Sequence, residues 1–268
     1  MSDRIDIRLT PYTKYKYLNI LTENYKDHVC IAGSLVITRN IYYDLSRSKL
    51  QQFNKIINLP EYNKEGFYYE FESYDENFPE YGHHHTLQEC LNIQKPYIVI
   101  DLSLYYNHYE DFEFINGKYE PKITKVAHGN LLLINTLTHE IERFDPWGFQ
   151  YIGSEFLDKI LITIFRIEIP ELLQFKYFSP SDFCKFAGPQ PKQHFKSSIS
   201  KTYYETKITG GFCSWWVLLY YFVRISHPDL TRSDIINWLD QQEPDTLFRL
   251  VYSFRKNVIK GEISNITI

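Results

Sequence analysis

A chain of 268 residues that is 44% hydrophobic and 23% charged has the make-up of one large globular domain, or of a core with a smaller appendage, which excludes extensive disorder. Lys and Arg number 29 against 33 Asp and Glu, a net charge of -4, so the basic surplus of a general nucleic-acid binder is missing. Aromatic residues reach 17%, with 23 Tyr and 19 Phe beside a single Met. Such rings build thick cores or stacking surfaces, and composition does not choose between them.

The opening residues Met1-Ser2-Asp3-Arg4-Ile5-Asp6 are charged from the start and carry no secretory signal. The longest apolar run, Trp215 to Val223, is too short to span a bilayer, so no membrane partner is expected. Cys30, Cys90, Cys184 and Cys213 are scattered without metal-ligand spacing. That usage predicts reduced thiols in an intracellular, reducing compartment: a host cytoplasm, or a virion for a viral protein.

In chain order, residues 1–95 read as an accessory region and 96–268 as an α/β or α+β core. Residues 61–120 hold thirteen Asp and Glu against three Lys, net -10, leaving about +6 elsewhere. The block reads as solvated surface or as a docking face for a basic protein partner. Tyr81-Gly82-His83-His84-His85 within it reads as a loop. Pro96 to Leu102 is a short apolar run, hence a buried strand. Asn130–Asn135 and Glu140–Phe144 flank a polar turn and predict a hairpin. A helix follows from about Ser154 to Arg166, and Pro170 and Pro180 bracket a segment that ends near Phe178. Trp215 to Ser226 is apolar nearly all round and predicts a buried helix, stopped by His227-Pro228-Asp229. Thr231 or Ser233 caps the next helix, which carries Ile235, Ile236, Trp238 and Leu239.

Three segments carry chemistry in combination. Ala127-His128-Gly129-Asn130 enters the first hairpin strand, and Arg143-Phe144-Asp145-Pro146-Trp147-Gly148 leaves the second. Antiparallel pairing brings those ends together, so the Asp145 carboxylate can orient the His128 imidazole. Gly210-Gly211-Phe212-Cys213 leads into the buried helix, whose first-turn N–H groups and dipole favour a thiolate at Cys213. An imidazolium beside it would favour the thiolate further. Gly210 and Gly211 permit a close substrate backbone. Taken singly, each segment has a blander reading: turn chemistry for Asp145-Pro146, a core filler for Cys213.

The order His…Asp…Cys with a helix starting at the Cys resembles the Ulp1/adenain-like cysteine peptidases of clan CE. The nearest resemblance is to predicted peptidases of large DNA viruses, including the asfarvirus polyprotein protease. Their pattern H-x-N-x-L-I-I, E-R-F-[DE]-P-x-G, G-x-C-x-x-W and R-[IL]-x-x-P-D is matched by His128–Ile134, Glu142–Gly148, Gly211–Trp216 and Arg224–Asp229, across about residues 120–230. The resemblance implies an α+β fold: a small mixed sheet flanked by helices in a papain-type protease core, with an N-terminal appendage. It implies catalysis by His128, Asp145 and Cys213, with Gln190 in the oxyanion hole and Gln193 as the alternative. The intended Gln segment, Cys184 to Gln190, lies farther from the Cys than in the cellular deconjugases. Trp147, Gly210, Gly211 and Trp215 are the expected substrate contacts. Gly129 stands where SUMO-type enzymes carry a Trp, implying a more open groove unless Trp147 or Trp215 closes it.

The function implied is a thiol peptidase that cleaves after a small residue, Gly in the first instance, on ubiquitin-like conjugates or viral polyproteins. Acyl transfer by the same triad, and a catalytically dead module that binds a ubiquitin-like protein, are the alternatives. No cofactor, metal or nucleic acid is called for. His83, His84 and His85 with Cys90 offer poorly converging metal ligands, and Cys30 and Cys90 read as structural.

Overall fold

The computed structural model describes residues 5–41, 67–72, 85–115, 118–148, 154–184, 188–206, 208–209 and 211–263. A short parallel ladder joins β1 (Ile5–Asp6) to β8 (Ile208–Thr209). The main sheet contains β2 (Val29–Ile41), β3 (Phe67–Glu72), β4 (Tyr97–Ile115), β5 (Lys118–Asn135), β6 (Glu140–Phe144) and β7 (Lys176–Phe178), in the order β3-β2-β4-β5-β6-β7. The β2–β4 and β6–β7 pairs are parallel and the other three antiparallel. The class is α+β, a mixed sheet flanked by helices, as expected.

Alternation along the strands gives the sheet two apolar faces. Ile98, Ile100, Leu102, Leu132 and Ile134 face one core, which is covered by α2 (Leu87–Ile93) and α3 (Ser154–Glu168) through Leu87, Leu157, Leu161 and Ile164. Val99, Leu131, Leu133 and Phe144 face the other. There they meet α1 (Pro11–Thr22) and α7 (Cys213–Ser226), with α8 (Arg232–Gln241) and α9 (Pro244–Lys260) outside them. Short helices α4 (Pro180–Phe183), α5 (Pro189–Lys196) and α6 (Ser198–Thr206) complete the chain. Among the described residues, aromatic rings gather in the second core: Phe144 and Tyr220 stack at 4.0 Å, and Phe212 meets Phe248 edge-on at 5.8 Å.

The expected hairpin is present, in the register Asn135↔Glu140 to Leu131↔Phe144. Its first strand is far longer than the apolar run, so His128 lies inside β5, just past the end of its pairing with β6. Thr231 caps α8 in a reciprocal capping box with Asp234, which settles the choice between Thr231 and Ser233.

The expected boundary near residue 95 does not separate two cores among the described residues. β2 lies between β3 and β4 within the sheet, and Ile7, Tyr15, Leu18 and Leu21 are buried with α7. Parallel pairing over a long crossover leaves no local sequence signal, which is why the region reads as an appendage. Residues 61–66, 73–84 and 116–117 of the acidic stretch, with His83 and His84 among them, lie outside the described residues.

Cys30 of β2 and Cys90 of α2 form a disulfide, their Cα atoms brought to 5.6 Å where the helix packs on the sheet. This corrects the expectation of four reduced thiols, and with it the ground for inferring a reducing compartment. It also removes Cys90 as a metal ligand; among the described residues no group of His, Cys, Asp and Glu could hold a metal ion. No helix among them is long and apolar enough to cross a membrane.

Candidate active site

α7 begins at Cys213 and runs buried beneath β5 and β6, so its first turn points at the sheet end where the β5–β6 pairing stops. His128 Nε2 lies 2.8 Å from Asp145 Oδ1, and the imidazole also hydrogen-bonds Cys213. With Nε2 engaged by the carboxylate, Nδ1 is the nitrogen left for sulfur. The three expected residues are thus brought together, His128 and Asp145 fully within the fold and Cys213 partly open to solvent.

The local sequence explains the placement of Asp145. Its Oδ1 accepts a second hydrogen bond from the Trp147 backbone N–H at 2.8 Å, which fixes the Asp-Pro-Trp-Gly turn around the carboxylate. Arg143, two residues back on the same face of β6, donates from Nη1 to Asp145 Oδ2 at 3.4 Å and to Asn130 Oδ1 at 2.8 Å. Its Nε is held by Asp158 Oδ1 at 2.8 Å. Glu142 points to the opposite face, where Arg224 of α7 donates to it at 2.8 Å and Tyr220 at 3.1 Å. That pair ties the hairpin to the helix that Cys213 starts. Asn130, Arg143, Glu142 and Arg224 all stand in the motifs quoted above, where no role was assigned to them.

Electrostatics favour an ion pair. Burial opposes charge on both His128 and Cys213, and is outweighed in both. Asp145, by charge and hydrogen bond, with Cys213 behind it, raises the imidazole to about 9. The His128 hydrogen bond and charge, the Gly129 backbone N–H and the Lys14 ammonium bring the thiol down to about 7. Asp145 is likewise lowered against its burial by His128 and Arg143.

Gln190 lies beside this pair, and Gly188 explains how. A Cβ at Gly188 would fall 2.3 Å from the Pro146 carbonyl oxygen, so only glycine lets the segment close on the Asp145 turn. Gly188 N–H donates to the Trp147 carbonyl and Gln190 N–H to that of Pro146, at 2.9 and 3.0 Å. The Gln190 amide thereby reaches the pocket, 3.3 Å from where a Cβ on Gly211 would stand. Gln193 is occupied elsewhere: its amide donates to Ser200 Oγ at 2.6 Å and accepts from Trp216 Nε1 at 3.5 Å.

The pocket holds about 220 Å³ and is lined by Lys14, His128, Gly129, Trp147, Gln190, Gly211 and Cys213 among others. Trp147 and Gly211 therefore sit where substrate contacts were expected, and Gly210 lies outside the described residues. Trp215 does not. It is 1% exposed, donates to the Ile7 carbonyl at 2.9 Å and packs against Tyr17, a core residue because its helical position turns it inward. Gly129 lines the pocket as well, and a Cβ there would meet Ser214 Oγ at 3.0 Å and Lys14 Nζ at 3.4 Å.

No family model matches the chain. Over 150 residues, 52% of its length, it is 27% identical to a protein of Acanthamoeba polyphaga mimivirus described as an ankyrin repeat protein. The chain spans 18% of that relative. Two solved structures of the Chlamydia trachomatis effector protein ChlaDUB1 align with it at a TM-score of 0.41. Their identities are 8% and 10%, with 98% and 100% of this chain and 87% and 96% of theirs covered.

Proposed function

We propose that this chain is a cysteine peptidase in which Cys213 is the nucleophile, His128 the proton carrier, Asp145 its orienting carboxylate and Gln190 an oxyanion donor. The observation that carries the reading is the single imidazole hydrogen-bonded at once to a buried carboxylate and to a helix-start thiol inside a pocket. An acid, a base and a nucleophile in that geometry suit acyl transfer from an amide.

In this reading the Cys213 thiolate attacks the scissile carbonyl, and the oxyanion is held by the Gln190 amide and the Cys213 backbone N–H. Collapse breaks the C–N bond while the His128 imidazolium gives its proton to the leaving amine. The resulting thioester is attacked by water, whose proton passes to the neutral imidazole; the acid product leaves and the thiolate–imidazolium pair is restored. Each step balances without a cofactor.

The substrate would be a protein chain with a small residue, Gly first, at the acyl position. Ser214 and Lys14 leave little room for a side chain at Gly129, where a Cβ would come within 3.0 and 3.4 Å of them, and this supports a narrow slot. Ubiquitin-like conjugates and viral polyproteins both present such sites. The deciding experiment is reaction with ubiquitin-like proteins and Gly-ended peptides bearing a carboxy-terminal electrophile, read by intact mass and peptide mapping. One adduct, on Cys213 and absent in Cys213→Ala, is expected. Adduct formation on another residue, or none with any probe, would overturn the reading.

A further inference from the structure

Lys14 lines the pocket, yet no step above uses it. Its position is an expensive one for a cation. It stands in the first turn of α1, where the helix dipole disfavours positive charge, and it is 1% exposed. Compensation comes from Asp101 of β4, itself wholly buried, in direct ion pair with the ammonium. Nζ also donates to Ser103 Oγ at 3.3 Å. Asp101 Oδ2 accepts from Ser34 Oγ at 3.0 Å. That last contact depends on the register shift in β2 between Ile31 and Ser34, where Gly33 takes φ 53° and Ser34 comes level with Asp101.

The pair adjoins the nucleophile. A Cβ on Gly129 would stand 3.4 Å from Lys14 Nζ and 3.0 Å from Ser214 Oγ, so the ammonium sits against the residue next to His128 and close to the one following Cys213. Gly129 is also the residue whose backbone N–H hydrogen-bonds the Cys213 sulfur. Stability alone does not account for such a pair, because a buried ion pair is often no better than an apolar replacement. A buried cation beside a half-buried thiolate, less screened than a surface charge, does have a consequence.

We propose that Lys14 is a positioning residue for the nucleophile: an ammonium held by Asp101 beside Gly129 that enlarges the thiolate population of Cys213 at neutral pH. The inference rests on the peptidase reading of Cys213. Five other groups set the field there: His128 from β5, Asp145 acting through it, Asp101 acting through Lys14, Tyr204 from α6, and Arg8 at the pocket. Lys14 and Asp101 act in opposite directions, the first favouring the thiolate and the second opposing it. Damage to the fold would not separate them in that way.

The test is the pH dependence of Cys213 alkylation by iodoacetamide in the intact protein, followed by peptide mass for wild type, Lys14→Met and Asp101→Asn. Wild type should titrate near 7. Lys14→Met should raise the midpoint by about one unit, slowing the reaction about tenfold at pH 6 with the alkaline plateau unchanged. Asp101→Asn, which keeps the shape and a hydrogen-bonding oxygen for Ser34, should lower it. An unchanged midpoint in either variant, or shifts of the same sign in both, overturns the proposal. Should Lys14→Met fail to fold, Asp101→Asn decides alone: a lower midpoint supports the proposal and any other overturns it. A wild-type midpoint at an ordinary thiol value of about 8.5 would instead remove the peptidase reading beneath it.

Discussion

Arg143 reaches Asp145 from behind, its Nη1 3.4 Å from Oδ2, while the other carboxylate oxygen is held by His128 at 2.8 Å. Both side chains are wholly buried, so neither charge has water to fall back on. Arg143→Met should therefore cost about 3–5 kcal/mol of stability, because Asp145 and Asp158 lose their shared cation. Asp145→Asn should cost roughly 10²-fold in kcat/KM, since the amide still orients the ring but no longer stabilises its charged form. His128→Ala should be more severe. Thermal melts and peptide kinetics check both, and an Asp145→Asn enzyme with wild-type kinetics would exclude the carboxylate from the mechanism.

The pH profile follows from the two shifted groups. In the proposed mechanism the competent form has Cys213 deprotonated and His128 protonated. Activity should rise with pH through about 7, where the lowered thiol ionises, and fall through about 9, where the raised imidazole loses its proton. A profile that rises with an ordinary thiol value and shows no alkaline limb would contradict the ion pair. Alkylation at pH 6 to 7 should favour Cys213 over the buried Cys184 and leave Cys30 and Cys90 unlabelled unless a reductant is added.

The two glutamines separate cleanly. Gln190→Ala should lower kcat by about 10²–10³-fold with little change in Tm, the usual cost of losing one oxyanion donor. Gln193→Ala should do the reverse, because its amide serves Ser200 and Trp216 inside the fold. If the kinetic loss follows Gln193 instead, the oxyanion assignment passes to that residue.

The site was legible where its parts are local. His128 and Asp145 belong to one hairpin, and Cys213 to the start of a breaker-free apolar helix, so short-range pattern and antiparallel pairing were enough to bring the first two together. Gln190 needed more, since its approach depends on Gly188 packing against the Pro146 carbonyl, a contact between segments about forty residues apart. Lys14 was illegible. A lysine in a Tyr- and Lys-rich helix reads as solvated, and only the fold reveals Asp101 and Ser103 around it. Trp215 shows a related limit: nearness to Cys213 in sequence does not fix which side of a helix a residue occupies. The amino-terminal third reads as an appendage because β2 joins β4 in parallel, a pairing no turn announces.

That pairing yields the last prediction. Were residues 1–95 a docking module, a chain of 96–268 would keep peptide turnover and lose binding only for whole proteins. The architecture argues otherwise. Removing β2 would bare the ladder of β4 from Tyr97 to His108, an open edge prone to pairing with other chains. Removing α1 would uncover the face of α7 now closed by Tyr15, Leu18 and Leu21, and would take Lys14 away from the pocket. The truncated chain should therefore be recovered only as aggregate, or as soluble protein without a cooperative thermal transition. A gentler probe is Leu18→Ala in the full chain, expected to lose about 2–5 kcal/mol of stability while kcat of the folded fraction is kept, since Leu18 is fully buried and does not line the pocket. A soluble 96–268 fragment that melts cooperatively and hydrolyses peptide at the full-length rate would show that the amino-terminal strands and helix are dispensable to the fold, and would return them to a docking role.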